Sequence, residues 1–136
     1  MKLLMFQARR FWYRPFVKSL PDAPDAEGEH EVTDAAVIWI HAEEKDLARR
    51  SKVLTKMLKN IKWLANKRDL ERVVLHSFTH LSDSKADPGF AQALLQEAAD
   101  RLHRTGYEVW ITPFGYVCEW ELSVRGESLG RVFKSL

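Results

Sequence analysis

The chain of 136 residues has the length of one ordinary domain, and its composition, 46% hydrophobic and 29% charged, is that of a soluble globular protein. These values exclude a disordered tail, a collagen-like fibre and a disulfide-stabilised scaffold, the last because Cys118 is the single cysteine. No apolar run approaches the roughly 20 residues of a membrane helix, so no membrane contact is predicted. Because Cys118 cannot form an internal disulfide, the sequence favours a reducing compartment and predicts a cytoplasmic protein.

The net charge of +2 conceals an uneven distribution. The segment from Pro21 to Asp34 carries six acidic residues and no Lys or Arg, whereas the segment from Lys45 to Arg68 carries nine basic residues and one acid. A locally basic surface of this kind suits a polyanionic partner.

The first half of the chain predicts strands followed by a helix. Met1–Pro15 is rich in Leu and aromatic residues and predicts a strand, or a strand and its return, followed by a mobile loop over Ser19–Gly28. Ala35–Ala42 predicts a buried strand. Lys45–Lys67 predicts an amphipathic helix. Its apolar side is predicted to carry Leu47, Leu54, Leu58, Ile61 and Ala65. Its opposite, basic side is predicted to carry Arg49, Lys52, Lys56, Lys59 and Trp63.

The second half predicts a strand, a helix and a run of strands. Glu71–Phe78 predicts a core strand, and Asp87, Pro88 and Gly106 mark the start and end of a second helix. The pattern after Gly106 predicts strands over residues 107–112, 116–125 and 129–133 that form a meander. The order favours a single α/β or α+β module, residues 1–136, with two helices packed against a mixed sheet.

Most familiar catalytic chemistries are absent from the sequence. His76 and His80 are four apart, but His76 falls in a predicted strand, where four residues span about 13 Å, so we expect no metal site. Cys118 is a nucleophile only in an exposed, electropositive setting, and a lone strand cysteine is more often a small apolar residue. The chain has no Gly-x-Ser-x-Gly elbow, P-loop or dinucleotide fingerprint, and no cofactor is expected.

The basic side of the first helix is the clearest surface feature. Its cations have the spacing to follow phosphates, and Trp63 offers a ring on which a base can stack. The alternative is a solvated helix face that only keeps the protein soluble.

Two segments carry a resemblance to a known family. The first is Phe-Thr-His-Leu-Ser at 78–82, directly after a strand. The second comprises Gly-Tyr-Glu-Val at 106–109, Pro-Phe-Gly-Tyr at 113–116 and Ser-Val-Arg-Gly at 123–126. Together they resemble the amino-terminal editing domain of archaeal-type threonyl-tRNA synthetases, whose fold is similar to that of D-aminoacyl-tRNA deacylases. The resemblance therefore implies a mixed sheet or partial barrel with two helices.

The resemblance also implies a function and a set of site residues. The family hydrolyses seryl esters wrongly attached to threonine tRNA, and the resemblance implies that a free-standing relative does so in trans. A threonyl-tRNA synthetase is a possible partner, and a homodimer is the expected oligomeric state. A positioned water, a few dipoles and the 2′-hydroxyl of the terminal adenosine suffice, because an aminoacyl ester is already activated. His80 matches the family histidine and is the catalytic candidate together with Cys118. The expected substrate-binding residues are Ala42, Thr79, Phe114, Gly115, Tyr116, Val117 and Arg131.

Several positions depart from the family pattern. Cys118 stands where the family has a functional lysine, and Val117 stands where it has a tyrosine. Arg131 aligns with an expected glutamate, and residues 7–9 (Gln-Ala-Arg) replace a His-Ser-Asp stretch. Because Ser and Thr are told apart by polar contacts and by steric rejection of a methyl group, these changes bear on specificity. Two alternatives therefore stand beside the deacylase: a non-catalytic relative that retains tRNA or protein binding, and a protein that acts on a small metabolite.

Overall fold

The computed structural model describes all 136 residues, which form six strands and two α-helices. In chain order these are β1 (Lys2–Lys18), β2 (His30–His41), α1 (Arg50–Asn66), β3 (Arg72–Ser77), α2 (Pro88–Arg104), β4 (Glu108–Ile111), β5 (Tyr116–Val124) and β6 (Arg131–Ser135). Short 3-10 helices at Glu44–Arg49 and Ser128–Gly130 precede α1 and β6. Neither α-helix has the length and apolarity needed to cross a bilayer.

A single mixed sheet contains all six strands, in the order β4-β3-β2-β1-β5, with β6 also paired to β1. The β2–β3 and β3–β4 pairs are parallel, and all pairs made by β1 are antiparallel. This sheet and its two helices confirm the predicted α/β class.

Strand β1 bends the sheet towards a barrel. It pairs with β2 on one side, and on the other with β6 over Lys2–Phe6 and with β5 over Ala8–Lys18. Its register with β5 shifts twice, and such bulges bend a strand. The ring of Trp120 on β5 consequently lies 4.7 Å from the ring of Trp39 on β2, although β1 separates the two strands in the sheet. The β5 edge thus curls over the sheet face that is opposite the helices.

Both faces of the central strands are buried, as the apolar sequence of Ala35–Ala42 predicts. One face packs against α1 and α2 through Ile38, Ile40 and Leu75, and the other forms a smaller cluster around Phe11 and Trp39. In α1 the predicted apolar residues Leu54, Leu58, Ile61 and Ala65 are buried. The Asp87 carboxylate accepts a hydrogen bond from the Phe90 amide and caps α2, as predicted.

Three details of the predicted fold are corrected. The last strands form no meander, because β4 pairs with β3 while β5 and β6 both pair with β1. Leu47 is 67% exposed, because Glu44–Arg49 is a 3-10 helix whose three-residue turn moves Leu47 off the apolar side of α1. The segment from Ser19 to Gly28 lacks helix and strand, as predicted, but hydrogen bonds anchor it to β5, as described below.

Candidate active site

A cleft of about 440 Å³ opens beyond the carboxyl ends of β2 and β3, where ligands commonly bind in parallel α/β sheets. One wall is the end of β3 and the loop that follows it, and the facing wall is the turn before β5 and the first residues of that strand. The first turn of α2 lies between them.

Eight of the nine predicted catalytic and substrate-binding residues line this cleft. They are Ala42, Thr79, His80, Phe114, Gly115, Tyr116, Val117 and Cys118. The loop that bears His80 and the turn before β5 therefore converge on one hollow, as the family resemblance implies. The individual roles of these residues stay predictions.

The ninth residue, Arg131, does not line the cleft. It begins β6 and pairs with Phe6 near the start of β1, whereas Tyr116 and Cys118 pair with Lys18 and Pro15 near the end of that strand. The structure thus corrects the placement of Arg131, which is exposed at the start of β6 and does not border the cleft.

The loop after β3 is held rigidly by the end of β2. His41 Nδ1 accepts a hydrogen bond from the Leu81 amide, and His41 Nε2 lies 2.5 Å from the Ser84 carbonyl oxygen, so Nε2 carries the proton. Two residues further on, Glu43 Oε2 accepts a hydrogen bond from Ser82 Oγ at 2.7 Å. These contacts orient the segment that carries His80.

His41 and Glu43 hold the loop beside the cleft without lining the cleft themselves, and sequence reasoning missed both. Both are buried, at 0% and 5% exposure. The available signal was the placement of a histidine and a glutamate directly at the end of an apolar strand, where buried polar groups need partners.

Glu43 also neutralises a buried ammonium. Its Oε1 lies 2.6 Å from the Met1 amine, which Asp46 contacts at 2.9 Å. Burial alone would raise the pKa of Glu43, but hydrogen bonds from the Met1 ammonium and Ser82 lower it to about 2. Glu43 thus joins the start of β1 to the loop that carries His80.

His80 is exposed at the mouth of the cleft, and its ring packs edge-on against Phe78 at 5.1 Å. Neither ring nitrogen is used in a hydrogen bond within the protein, so both are accessible to water or a ligand. This placement suits a group that orients water.

His76 lies deeper in the same cleft and is only 5% exposed. Its Nδ1 is 2.8 Å from Thr112 Oγ1, and burial lowers its pKa to about 4. The imidazole is therefore neutral at neutral pH. Sequence reasoning considered His76 only as a metal ligand.

The depressed pKa of His76 makes the folded protein sensitive to acid. Between the unfolded pKa of 6.5 and the folded pKa of about 4, the unfolded chain binds the extra proton, so stability falls as the pH falls through this range. At pH 5 the loss amounts to about 2 kcal/mol. We expect His76→Gln to lack this part of the pH dependence in urea unfolding measured from pH 7 to pH 4. The exposed His103→Gln is the matched control, and an identical pH profile for both variants would contradict the assignment.

Cys118 lies half-buried on β5, opposite Pro15 of β1. Burial raises the pKa of its thiol, so the thiolate required for nucleophilic attack is disfavoured at neutral pH. The position is suited to contacting a substrate through a small, weakly polar group.

Tyr116 anchors residues 19–28, which we call the strap. Its hydroxyl donates to the Pro24 carbonyl and accepts from the Ala26 amide, both at 2.9 Å. The carbonyl of Gly115 accepts hydrogen bonds from the amides of Ser19 and Leu20. Since Ser19 and Leu20 line the cleft, the strap is a third wall, and the Tyr116 hydroxyl is committed to holding it.

The basic residues of α1 lie outside the cleft. Lys52, Lys56 and Lys59 are exposed and form no salt bridge. Trp63 is 37% exposed, with the Lys134 ammonium 5.4 Å from its ring centroid. Arg49 differs from the predicted basic side, because its guanidinium donates to the Leu136 carbonyl and lies 3.7 Å from Asp46.

Comparison with known proteins identifies the family. The model of the archaea-specific editing domain of threonyl-tRNA synthetase matches residues 1–136. The chain belongs to this family. The threonine–tRNA ligase of Hyperthermus butylicus is 30% identical over 99% of the chain, and that of Thermococcus kodakarensis is 27% identical over 100% of it. The chain spans 23% and 22% of the length of these two relatives.

A solved structure supports the fold of this editing-domain family member. The c-Myc DNA unwinding element binding protein superposes with a TM-score of 0.76 over 100% of this chain and 99% of its own, at 11% sequence identity. The D-aminoacyl-tRNA deacylase-like fold predicted from the sequence is thereby confirmed.

Proposed function

We infer that the domain hydrolyses mischarged aminoacyl-tRNA, with seryl-tRNA(Thr) as the substrate class, and that it acts in trans on tRNA released by a synthetase. The observation that supports this function is the single cleft shared by the His80 loop and the Phe114–Cys118 segment in a member of the editing-domain family. Its volume of about 440 Å³ lies within the range of small-ligand sites.

The proposed reaction needs no covalent intermediate. Water attacks the ester carbonyl carbon, the bond to the ribose oxygen breaks, and the proton lost by water passes to that oxygen, which leaves free serine and uncharged tRNA. His80 orients the water at the mouth, and the 2′-hydroxyl of the terminal ribose assists the proton transfer. Positioning and fixed dipoles supply the catalysis, since the ester is already activated.

A second candidate is a non-catalytic relative that retains RNA binding. The half-buried Cys118, whose raised pKa keeps it as a thiol, favours this alternative because the cleft then holds no ammonium at that position.

A deacylation panel separates the two functions. Purified protein is incubated with seryl-, threonyl- and D-aminoacyl-tRNA, and we expect hydrolysis of the seryl ester at a rate well above buffer. His80→Ala is expected to lower this rate about 10–100-fold if the imidazole positions the water. Binding of charged tRNA without hydrolysis at micromolar protein supports the non-catalytic function and contradicts the deacylase.

Cys118→Lys tests the position that departs from the family. We expect faster seryl-ester turnover, by roughly tenfold, because an ammonium in the cleft can hold the serine hydroxyl or the developing oxyanion. Ser123→Lys, on an exposed part of the same strand, is the control. Equal rates for the two lysine variants would show that position 118 does not contact the substrate.

The basic side of α1 is proposed as the tRNA-binding surface. Replacing Lys52, Lys56 and Lys59 with Glu is expected to weaken tRNA binding and to reduce the slope of log K against log salt by about 2–3. A matched variant, with Glu at the exposed residues Arg9, Arg104 and Arg131, makes the same change in net charge elsewhere. If both triple variants lose affinity equally, only the net charge matters and α1 is not the binding surface.

A cytoplasmic homodimer that associates with a threonyl-tRNA synthetase is the proposed state. Phe16, Val17, Val117 and Phe133 are all at least half exposed, and large exposed apolar side chains of this kind are candidates for burial at an interface. Sedimentation equilibrium of the purified protein tests the dimer, and a monomer at all concentrations would contradict it.

A further inference from the structure

The cleft contains a single permanently charged side chain, Lys85, and no carboxylate. Its other polar side chains are hydroxyls, the Cys118 thiol, the Trp120 indole and two imidazoles. Lys85 is exposed and forms no salt bridge. The cleft therefore offers one unneutralised ammonium to whatever binds in it.

The backbone on both sides of Lys85 is fixed. The carbonyl oxygen of Ser84 lies 2.5 Å from His41 Nε2, and Ser84 Oγ accepts a hydrogen bond from the Glu44 amide. On the other side, the Ala86 amide donates to the Ala42 carbonyl at 3.0 Å. A lysine on an anchored segment is a preorganised anion ligand, because only its own side chain has to be ordered when the anion binds.

Lys85 also marks the exit from the cleft. It lines a second hollow of about 420 Å³ that lies outside the mouth and shares Lys85 and Ala86 with the cleft. The other lining residues of this hollow are Glu44, Leu47, Asp87 and Phe90. Leu47 and Phe90 give it an apolar surface, and the carboxylates of Glu44 and Asp87 lie in this outer hollow and not in the cleft.

The strap has the opposite charge. The strap carries Asp22, Asp25 and Glu27 and no basic residue, and among these only Asp25 is paired, with Lys18. A polyanion is repelled from the strap side of the cleft and is attracted past Lys85.

We propose that Lys85 binds the phosphate on the 5′ side of the nucleotide held in the cleft, so that the RNA backbone leaves the cleft across Lys85 towards the second hollow. This inference rests on the proposed function, because it assumes that the terminal nucleoside of an aminoacyl-tRNA occupies the cleft. Lysine suits a phosphodiester here because it acts as a point charge that a flexible stem directs at one phosphate oxygen.

The test compares adenosine with adenosine 5′-monophosphate, which differ only in the phosphate. Isothermal titration at low salt is expected to show about tenfold tighter binding of the monophosphate by the wild-type protein. Lys85→Met is expected to bind both ligands with the wild-type affinity for adenosine, and Lys85→Arg is expected to keep most of the preference. Lys67→Met, at the far end of α1, removes the same charge outside the cleft and is expected to leave the preference unchanged.

The outcomes separate this inference from the function on which it rests. If adenosine binds but the monophosphate binds no more tightly, or if Lys85→Met keeps the preference, the phosphate contact is overturned while the nucleoside cleft stands. If neither ligand binds the wild-type protein at millimolar concentration, the nucleoside cleft and the phosphate contact are both overturned.

Discussion

Glu43→Gln is expected to lower the free energy of unfolding by about 3–5 kcal/mol, because it leaves a buried ammonium without one of its two close carboxylate partners. The Met1 amine is fully buried and lies 2.6 Å from Glu43 Oε1 and 2.9 Å from Asp46 Oδ1. Glutamine retains the shape and a hydrogen-bond acceptor but removes the charge. The measurement is urea unfolding of both proteins at pH 7.

The pH dependence of stability gives a second, independent readout. The pKa of Glu43 is about 2 in the folded protein and 4.5 in the unfolded chain. Between these two pH values the folded protein therefore binds fewer protons than the unfolded chain. Its contribution is therefore complete above about pH 4.5 and is lost as the pH falls towards 2, a total of about 3 kcal/mol. Glu43→Gln is expected to lack this acid-dependent loss. The window lies below that of His76, so the two groups are distinguishable.

The same substitution is expected to affect the cleft. Glu43 Oε2 accepts the hydrogen bond from Ser82 Oγ, and Ser82 follows His80 by two residues. In the proposed ester hydrolysis, a looser loop is expected to lower kcat more than it raises KM, since the exposed imidazole loses its orientation. Glu44→Gln is the matched control, because the Glu44 carboxylate makes no such contact. Equal stability of the two variants at pH 7 would contradict a structural role for the Glu43 charge.

The sequence predicts those parts of the fold that depend on local pattern. Ala35–Ala42 is an almost continuous apolar run, and Glu71–Phe78 has an apolar centre at Val73–Leu75, which is the pattern of strands that are covered on both sides. The Asp87-Pro88 pair and the Gly106 position delimit α2 through local capping rules. Local sequence patterns do not predict which loops contact each other. Only the family resemblance predicts that the His80 loop and the Phe114–Cys118 segment converge.

The remaining features depend on contacts between distant residues. Strand β5 mixes polar and apolar residues, which indicates a strand with an exposed face but not that β1 is its neighbour. Residues 44–49 contain an apolar residue at helical spacing, yet Asp46 is turned inwards to meet the Met1 amine, and the 3-10 geometry leaves Leu47 in solvent. The anchoring of the strap by Tyr116 joins residues that are about 90 positions apart, as the Ala26–Tyr116 bond shows.

Gly115→Ala is expected to destabilise the protein by about 3 kcal/mol and to open the strap side of the cleft. Gly115 has a φ of +83°, a conformation that costs an L residue about 1–2 kcal/mol. A Cβ at this position lies 2.8 Å from the Cβ of Ala23 and 3.3 Å from that of Leu20, so the strap has to move away. Because Leu20 lines the cleft, we expect the ratio of kcat/KM for seryl- over threonyl-tRNA in the proposed deacylation to fall as the pocket widens.

Two other glycines separate backbone strain from displacement of the strap. Gly28 has a φ of +93°, and a Cβ added there would have no atom within 4 Å. Gly28→Ala therefore measures the cost of the backbone conformation alone. Gly126 has neither a positive φ nor a neighbour within that distance, so Gly126→Ala is expected to be nearly neutral. The order of stability loss should be Gly115→Ala, then Gly28→Ala, then Gly126→Ala, and only the first should change substrate selectivity. If Gly28→Ala and Gly115→Ala lose the same stability and have the same ratio of kcat/KM for the seryl over the threonyl substrate, the strap is not packed tightly on Gly115. Residues 19–28 would then not set the size of the pocket.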